Sequence, residues 1–112
     1  MKIYHNPRCR KSRETLQILQ EKGKEIEIIE YLKTPPTFQE LKDILMKLNK
    51  KPAEIIRKSE KVFKKKFKGM NFNDDEWVKI LEENPILIER PIVVRNNKAV
   101  IGRPPENVLE LL

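Results

Sequence analysis

The chain has 112 residues, 38% of them hydrophobic and 37% charged, and a formal net charge of +7. That length suits one domain with a modest core, expected to span residues 1–112. The single cysteine excludes an intrachain disulfide, and no apolar run approaches the roughly 20 residues of a membrane span. Residues 1–22 lack the long apolar region of a secretory leader, so a soluble cytoplasmic protein is the default expectation. The positive charge alone decides little. Aromatics are only 6% and read mostly as core, while the lysines scatter through amphipathic segments. A solvated basic face therefore outweighs a nucleic-acid surface.

Met1 to Tyr4 places Ile3 and Tyr4 in a β-compatible run that stops at Asn6-Pro7. From Arg10 to Lys22 there is no glycine or proline. Leu16, Ile18 and Leu19 share a broad face, and Gly23 supplies a left-handed C-terminal cap. Glu25 to Tyr31 alternates and then runs apolar, which predicts a second strand. Strand, helix and strand within about 30 residues make a βαβ unit, so these two strands are expected to be parallel with a right-handed crossover.

Thr34-Pro35-Pro36 stops the unit, and Thr37 with Glu40 three residues on forms a capping box. The helix that follows sets Leu41, Ile44, Leu45 and Leu48 at helical spacing. Pro52 starts a short helix through Arg57. Lys58 to Lys68 is basic, with Val62, Phe63 and Phe67 interspersed, and reads as helical or irregular. Asn73-Asp74-Asp75-Glu76 caps another helix, whose apolar stripe is Trp77, Ile80 and Leu81. Ile92 to Arg95 and Lys98 to Gly102 are β-branched runs joined by the turn signal Asn96-Asn97. Arg103-Pro104-Pro105-Glu106 opens a last helix. The fold class is α/β: a mixed four-stranded sheet, with a helical segment between the βαβ unit and a C-terminal hairpin and helix.

Chemistry concentrates at Cys9, where the first strand turns into the first helix. A helix N-terminus favours an anion, and Arg8, Arg10 and Arg13 are expected to push the thiol toward thiolate as well. The alternative is a small buried cysteine. Position 12 is Ser12, which excludes intrachain Cys-x-x-Cys exchange. Position 15 is Thr15, which removes the arginine that a tyrosine-phosphatase loop needs. The only histidine, His5, either assists the thiolate or is a surface residue without a role. No group of histidines, cysteines and acids has metal-ligand spacing. Arg90 and Arg103, each before a proline, bracket the hairpin and offer forked donors to an oxyanion.

Tyr4-His5-Asn6-Pro7-Arg8-Cys9 followed by Ser12-Arg13-x-Thr15-Leu16 resembles the active-site segment of the glutaredoxin-coupled arsenate reductases. Ile55-Ile56-Arg57-Lys58, Pro85 to Val94 and Gly102-Arg103-Pro104-Pro105-Glu106 resemble that family's arginine-bearing motifs, in order along nearly the whole chain. The resemblance implies a thioredoxin-like fold with Cys9 as the nucleophile. Arg57, Arg90 and Arg103 become the oxyanion triad, His5 and Ser12 supporting residues, and Pro91 a cis-proline. It implies reduction of arsenate to arsenite, with glutathione as co-substrate and a glutaredoxin as partner, and no bound cofactor. Absence of a resolving cysteine calls for that external thiol. Family members tend to carry small residues after the cysteine. Arg10 and Lys11 depart from that pattern and would narrow the pocket or favour another anion. Two other readings accompany this one: a glutathione-dependent thiol reductase, and a regulator resembling the Spx-type proteins that bind RNA polymerase. Ser12 removes the Cys-x-x-Cys switch that such regulators commonly carry.

Overall fold

Lys2–His5 (β1), Glu27–Glu30 (β2), Ile92–Arg95 (β3) and Lys98–Ile101 (β4) form one sheet in the order β2-β1-β3-β4. The computed structural model describes all 112 residues. Its chain divides into two compact units, residues 1–34 with 90–112, and residues 35–89. In the first unit β1 pairs with β2 in parallel, Ile3 opposite Ile28, and antiparallel to β3, Ile3 opposite Val93. Helix α1 (Arg10–Glu21) supplies the crossover that a parallel pair requires. β3 and β4 make the expected hairpin, with Asn96 at φ 56°, the left-handed region that asparagine tolerates.

Ile3, Leu19, Val93, Val100, Val108 and Leu111 close the core of this unit. Its residues come from β1, α1, β3, β4 and the C-terminal turn, so α1 and that turn share one face of the sheet. Side chains of this kind contribute roughly 1.5–3 kcal/mol each when fully buried. Gly23 has φ 68°, and its N–H bonds to Gln20 O at 3.0 Å while Lys24 N–H bonds to Leu19 O at 3.2 Å. Those two bonds satisfy carbonyls that the end of α1 would otherwise leave open.

The second unit is the helical segment anticipated between Pro35 and Glu89. It holds α2 (Phe38–Leu48), α3 (Lys61–Lys66) and α4 (Asp74–Glu83). Both foreseen caps form. Thr37 accepts from Glu40 N at 3.2 Å, and Asn73 accepts from Glu76 N at 2.8 Å; each glutamate reaches back to its cap. Leu41, Ile44, Leu45 and Leu48 of α2 are buried, as are Trp77, Val78, Ile80 and Leu81 of α4. Phe63 stacks on Trp77 at 6.3 Å, and Phe72 meets the same indole edge-on at 4.8 Å. The aromatics of the basic stretch are therefore structural.

Some boundaries differ from the sequence reading. The second strand is shorter, Glu27–Glu30, since only these residues pair with β1. Pro52–Ile55 and the C-terminal Pro105–Leu111 are 3-10 turns. Prolines at their starts and their shortness leave too few α-type bonds to hold a regular helix. Ile86 and Leu87 fall in a third such turn, Pro85–Leu87. No helix is long and apolar enough to cross a membrane.

Candidate active site

β1 ends at His5, and Asn6 organises the turn that follows. Its N–H donates to Ser12 Oγ at 3.0 Å, its Oδ1 accepts from Arg8 N at 3.0 Å, and its carbonyl accepts from Cys9 N at 3.0 Å. Pro7 cannot donate, so it fits the middle of such a turn at no cost in hydrogen bonds. Cys9 emerges as the N-terminal cap residue of α1, with extended backbone (φ −95°, ψ 122°) and a half-buried side chain.

Burial pushes the Cys9 thiol up, but the opposing influences outweigh it and its pKa is lowered. These are the Ser12 backbone N–H, hydrogen bonds from Arg90 and Arg103, and the charge of Arg90. Arg103 Nη1 lies 3.6 Å from Cys9 Sγ and also donates to the Arg90 carbonyl at 3.2 Å. Arg90 itself is only 9% exposed. Two guanidinium groups that favour the ionised form of one thiol could serve a nucleophilic sulfur and also bind an oxyanion beside it.

The neighbouring arginines behave otherwise than the sequence suggested. Arg10 turns outward to Glu14 at 2.9 Å, and Arg13 Nη1 donates to the Pro7 carbonyl at 3.0 Å. The charge acting on the thiol comes from residues 80 to 95 positions away, because side chains on the first turn of α1 radiate from its axis. Arg10 is exposed and committed to Glu14, so it does not crowd the sulfur.

His5 is no surface residue. It is 6% exposed, with Nδ1 2.6 Å from Ser12 Oγ. Its pKa is lowered, chiefly by burial, with Glu30 opposing and Arg13 assisting. A neutral imidazole suits this position, accepting the Ser12 hydroxyl proton on Nδ1 while that oxygen accepts from Asn6 N–H. His5 thus reaches Cys9 through Ser12, the residue whose backbone N–H acts on the sulfur.

The Arg90–Pro91 and Arg103–Pro104 bonds are both cis. Between them, Gly102 N–H bonds to the Pro91 carbonyl at 2.9 Å, and Thr15 Oγ1 donates to Lys11 O at 2.8 Å and Gly102 O at 3.3 Å. The sequence reading met Thr15 as a missing phosphatase arginine and as one residue of the active-site resemblance, and gave it no structural role. Its packing against Gly102 ties α1 to the segment that presents Arg103. The signal available was a glycine directly before an Arg-Pro pair.

Arg57 lies in the helical unit. Ile56 bridges Ile88, with Arg57 N–H on Leu87 O and Glu89 N–H on Ile55 O, both at 2.8 Å. This short pairing sets Arg57 Nη1 2.8 Å from Glu89 Oε1. Cys9, Ser12, His5, Arg90, Pro91 and Arg103 belong to the sheet unit.

The sequence profile of the ArsC family matches residues 4–111. The chain belongs to the ArsC family. An uncharacterized protein of Escherichia coli K12, YfgD, is 46% identical over all of this chain and 96% of its own length. An arsenate reductase of Neisseria meningitidis is 42% identical, covering all of this chain and 97% of its own. Among solved structures, an arsenate reductase from Vibrio cholerae superposes with a TM-score of 0.94. It is 44% identical and covers 100% of this chain and 98% of its own. This ArsC chain thus shares its thioredoxin-like architecture with proteins named for arsenate reduction.

Proposed function

We propose that this protein is a thiol-dependent arsenate reductase, converting arsenate to arsenite through the Cys9 thiolate. The observation that carries the reading is the Arg103 guanidinium 3.6 Å from Cys9 Sγ, with Arg90 acting on the same sulfur. Those donors lower the thiol's pKa in the resting site and neutralise arsenate oxygens once substrate arrives. The kinship with arsenate reductases supports the same substrate. Arg57 is assigned as a third oxyanion ligand on its motif alone.

The chain has one cysteine, so the electrons come from outside. Cys9 thiolate forms an S–As bond with loss of water, and glutathione adds to arsenic with loss of a second water. A glutaredoxin thiolate then attacks the glutathione sulfur. The As–S bond to glutathione breaks, its electron pair stays on arsenic, and As(V) becomes As(III) while a mixed disulfide leaves. Hydrolysis frees arsenite and restores Cys9. A reaction that draws its electrons from glutathione and a glutaredoxin suits the reducing cytoplasm.

The test is arsenite production by wild-type protein with arsenate, glutathione and glutaredoxin. Cys9→Ser is expected to abolish it entirely. Wild-type protein that makes no arsenite, or a serine variant that still does, overturns the assignment.

A further inference from the structure

The Cys9 turn has a second flank. In the order β2-β1-β3-β4, Cys9 follows β1, and Arg90 and Arg103 reach it from the segments bordering β3 and β4. On the β2 side lies a cavity of about 220 Å³, lined by His5–Arg8 of the turn and by Glu30, Leu32 and Lys33. We propose that this cavity is the glutathione subsite, holding the zwitterionic γ-glutamyl end of the tripeptide. The inference rests on the arsenate-reductase reading and adds where the reducing thiol sits.

The lining of the cavity and its place beside the Cys9 turn point there. An arsenate whose oxygens face Arg90 and Arg103 leaves the opposite flank for an incoming thiol. The lining then matches the ligand in charge: Arg8 and Lys33 suit a carboxylate, Glu30 an ammonium. The Glu30–Lys33 pair, at 3.5 Å, is long for an ion pair, and both side chains are solvated at 41% and 79% exposure. Such a pair is weakly held and exchanges readily for a ligand's own ammonium and carboxylate. Exposed Pro7 and the 41%-exposed Leu32 offer apolar wall to the glutamyl methylenes. The volume suits one end of a tripeptide, and the cavity borders the turn, His5–Arg8, that leads directly into Cys9.

The probe is S-methylglutathione, which binds without reacting, titrated into uniformly 15N-labelled wild-type protein. Saturable amide shifts are expected at Asn6, Arg8, Glu30, Leu32 and Lys33. Lys33→Glu, an exposed change, is expected to weaken the affinity about fivefold. In turnover the same variant raises KM for glutathione about fivefold against an unchanged KM for arsenate. Shifts centred elsewhere, no saturable shift, or a Lys33→Glu affinity equal to wild type overturns the subsite. The titration needs no arsenate, so its failure leaves arsenate reduction standing, and absence of arsenate turnover leaves its result intact.

Discussion

Gly102→Ala tests how the site is held together. A Cβ on Gly102 would lie 2.9 Å from Pro91 Cγ and 2.9 Å from Thr15 Cγ2, and would run into Thr15 Oγ1. None of these neighbours can withdraw. Thr15 is 0% exposed and bonded to two carbonyls, and Pro91 is a buried ring. Overpacking of this kind costs about 1–3 kcal/mol, and about 2 kcal/mol corresponds to about 10 °C in Tm for a domain of this size. The strain also falls one residue before Arg103, so the guanidinium should lose its place on the sulfur. Urea denaturation would measure the first effect, and the pH dependence of iodoacetamide alkylation the second. Thr15→Ala removes both clashing atoms of Thr15, so the double variant should recover about 1 kcal/mol relative to the sum of the single changes. Gly102→Ala within about 0.5 kcal/mol of wild type, with an unchanged alkylation profile, would refute the reasoning.

Two further outcomes follow from the same geometry. Arg103→Ala removes a charge-assisted donor from Cys9, so the thiol pKa rises toward its ordinary value. The kcat/KM for arsenate should fall about 10- to 100-fold, the loss expected for a hydrogen bond to a charged group. His5, with its pKa lowered from an ordinary 6.5, binds a proton less readily folded than unfolded. Stability is therefore complete above about pH 6.5 and declines as pH falls below it toward the folded value; urea midpoints across pH 5–8 would show this slope, and His5→Gln should flatten it.

Much of the architecture was legible because local chemistry and the fold agree. Thr37 with Glu40, Asn73 with Glu76, and Gly23 after an unbroken helical run each satisfy open backbone groups, and their residue types announce the job. The βαβ unit and the Asn96-Asn97 hairpin likewise follow from periodicity and turn chemistry. What escaped was tertiary. Proximity in sequence made Arg10 and Arg13 the natural activators of Cys9, yet they turn to Glu14 and the Pro7 carbonyl. The arginines that act on the sulfur are brought in by β3, β4 and the turns beside them; their places before prolines at the hairpin ends and a resemblance of motifs pointed to them, but no local pattern aimed them at Cys9. His5 hid its role because burial and its Ser12 partner depend on how the β1 end packs. The Thr15–Gly102 contact joins residues 87 positions apart, which no local pattern encodes.

The most direct test of the account is the rate of Cys9 alkylation by iodoacetamide against pH, with and without arsenate. An inflection clearly below the ordinary thiol value, and slower alkylation when arsenate occupies the arginine cradle, are predicted from the lowered pKa and from Arg90 and Arg103. An inflection at the ordinary thiol value that arsenate leaves untouched would contradict the claim that Cys9 is an activated nucleophile facing an oxyanion.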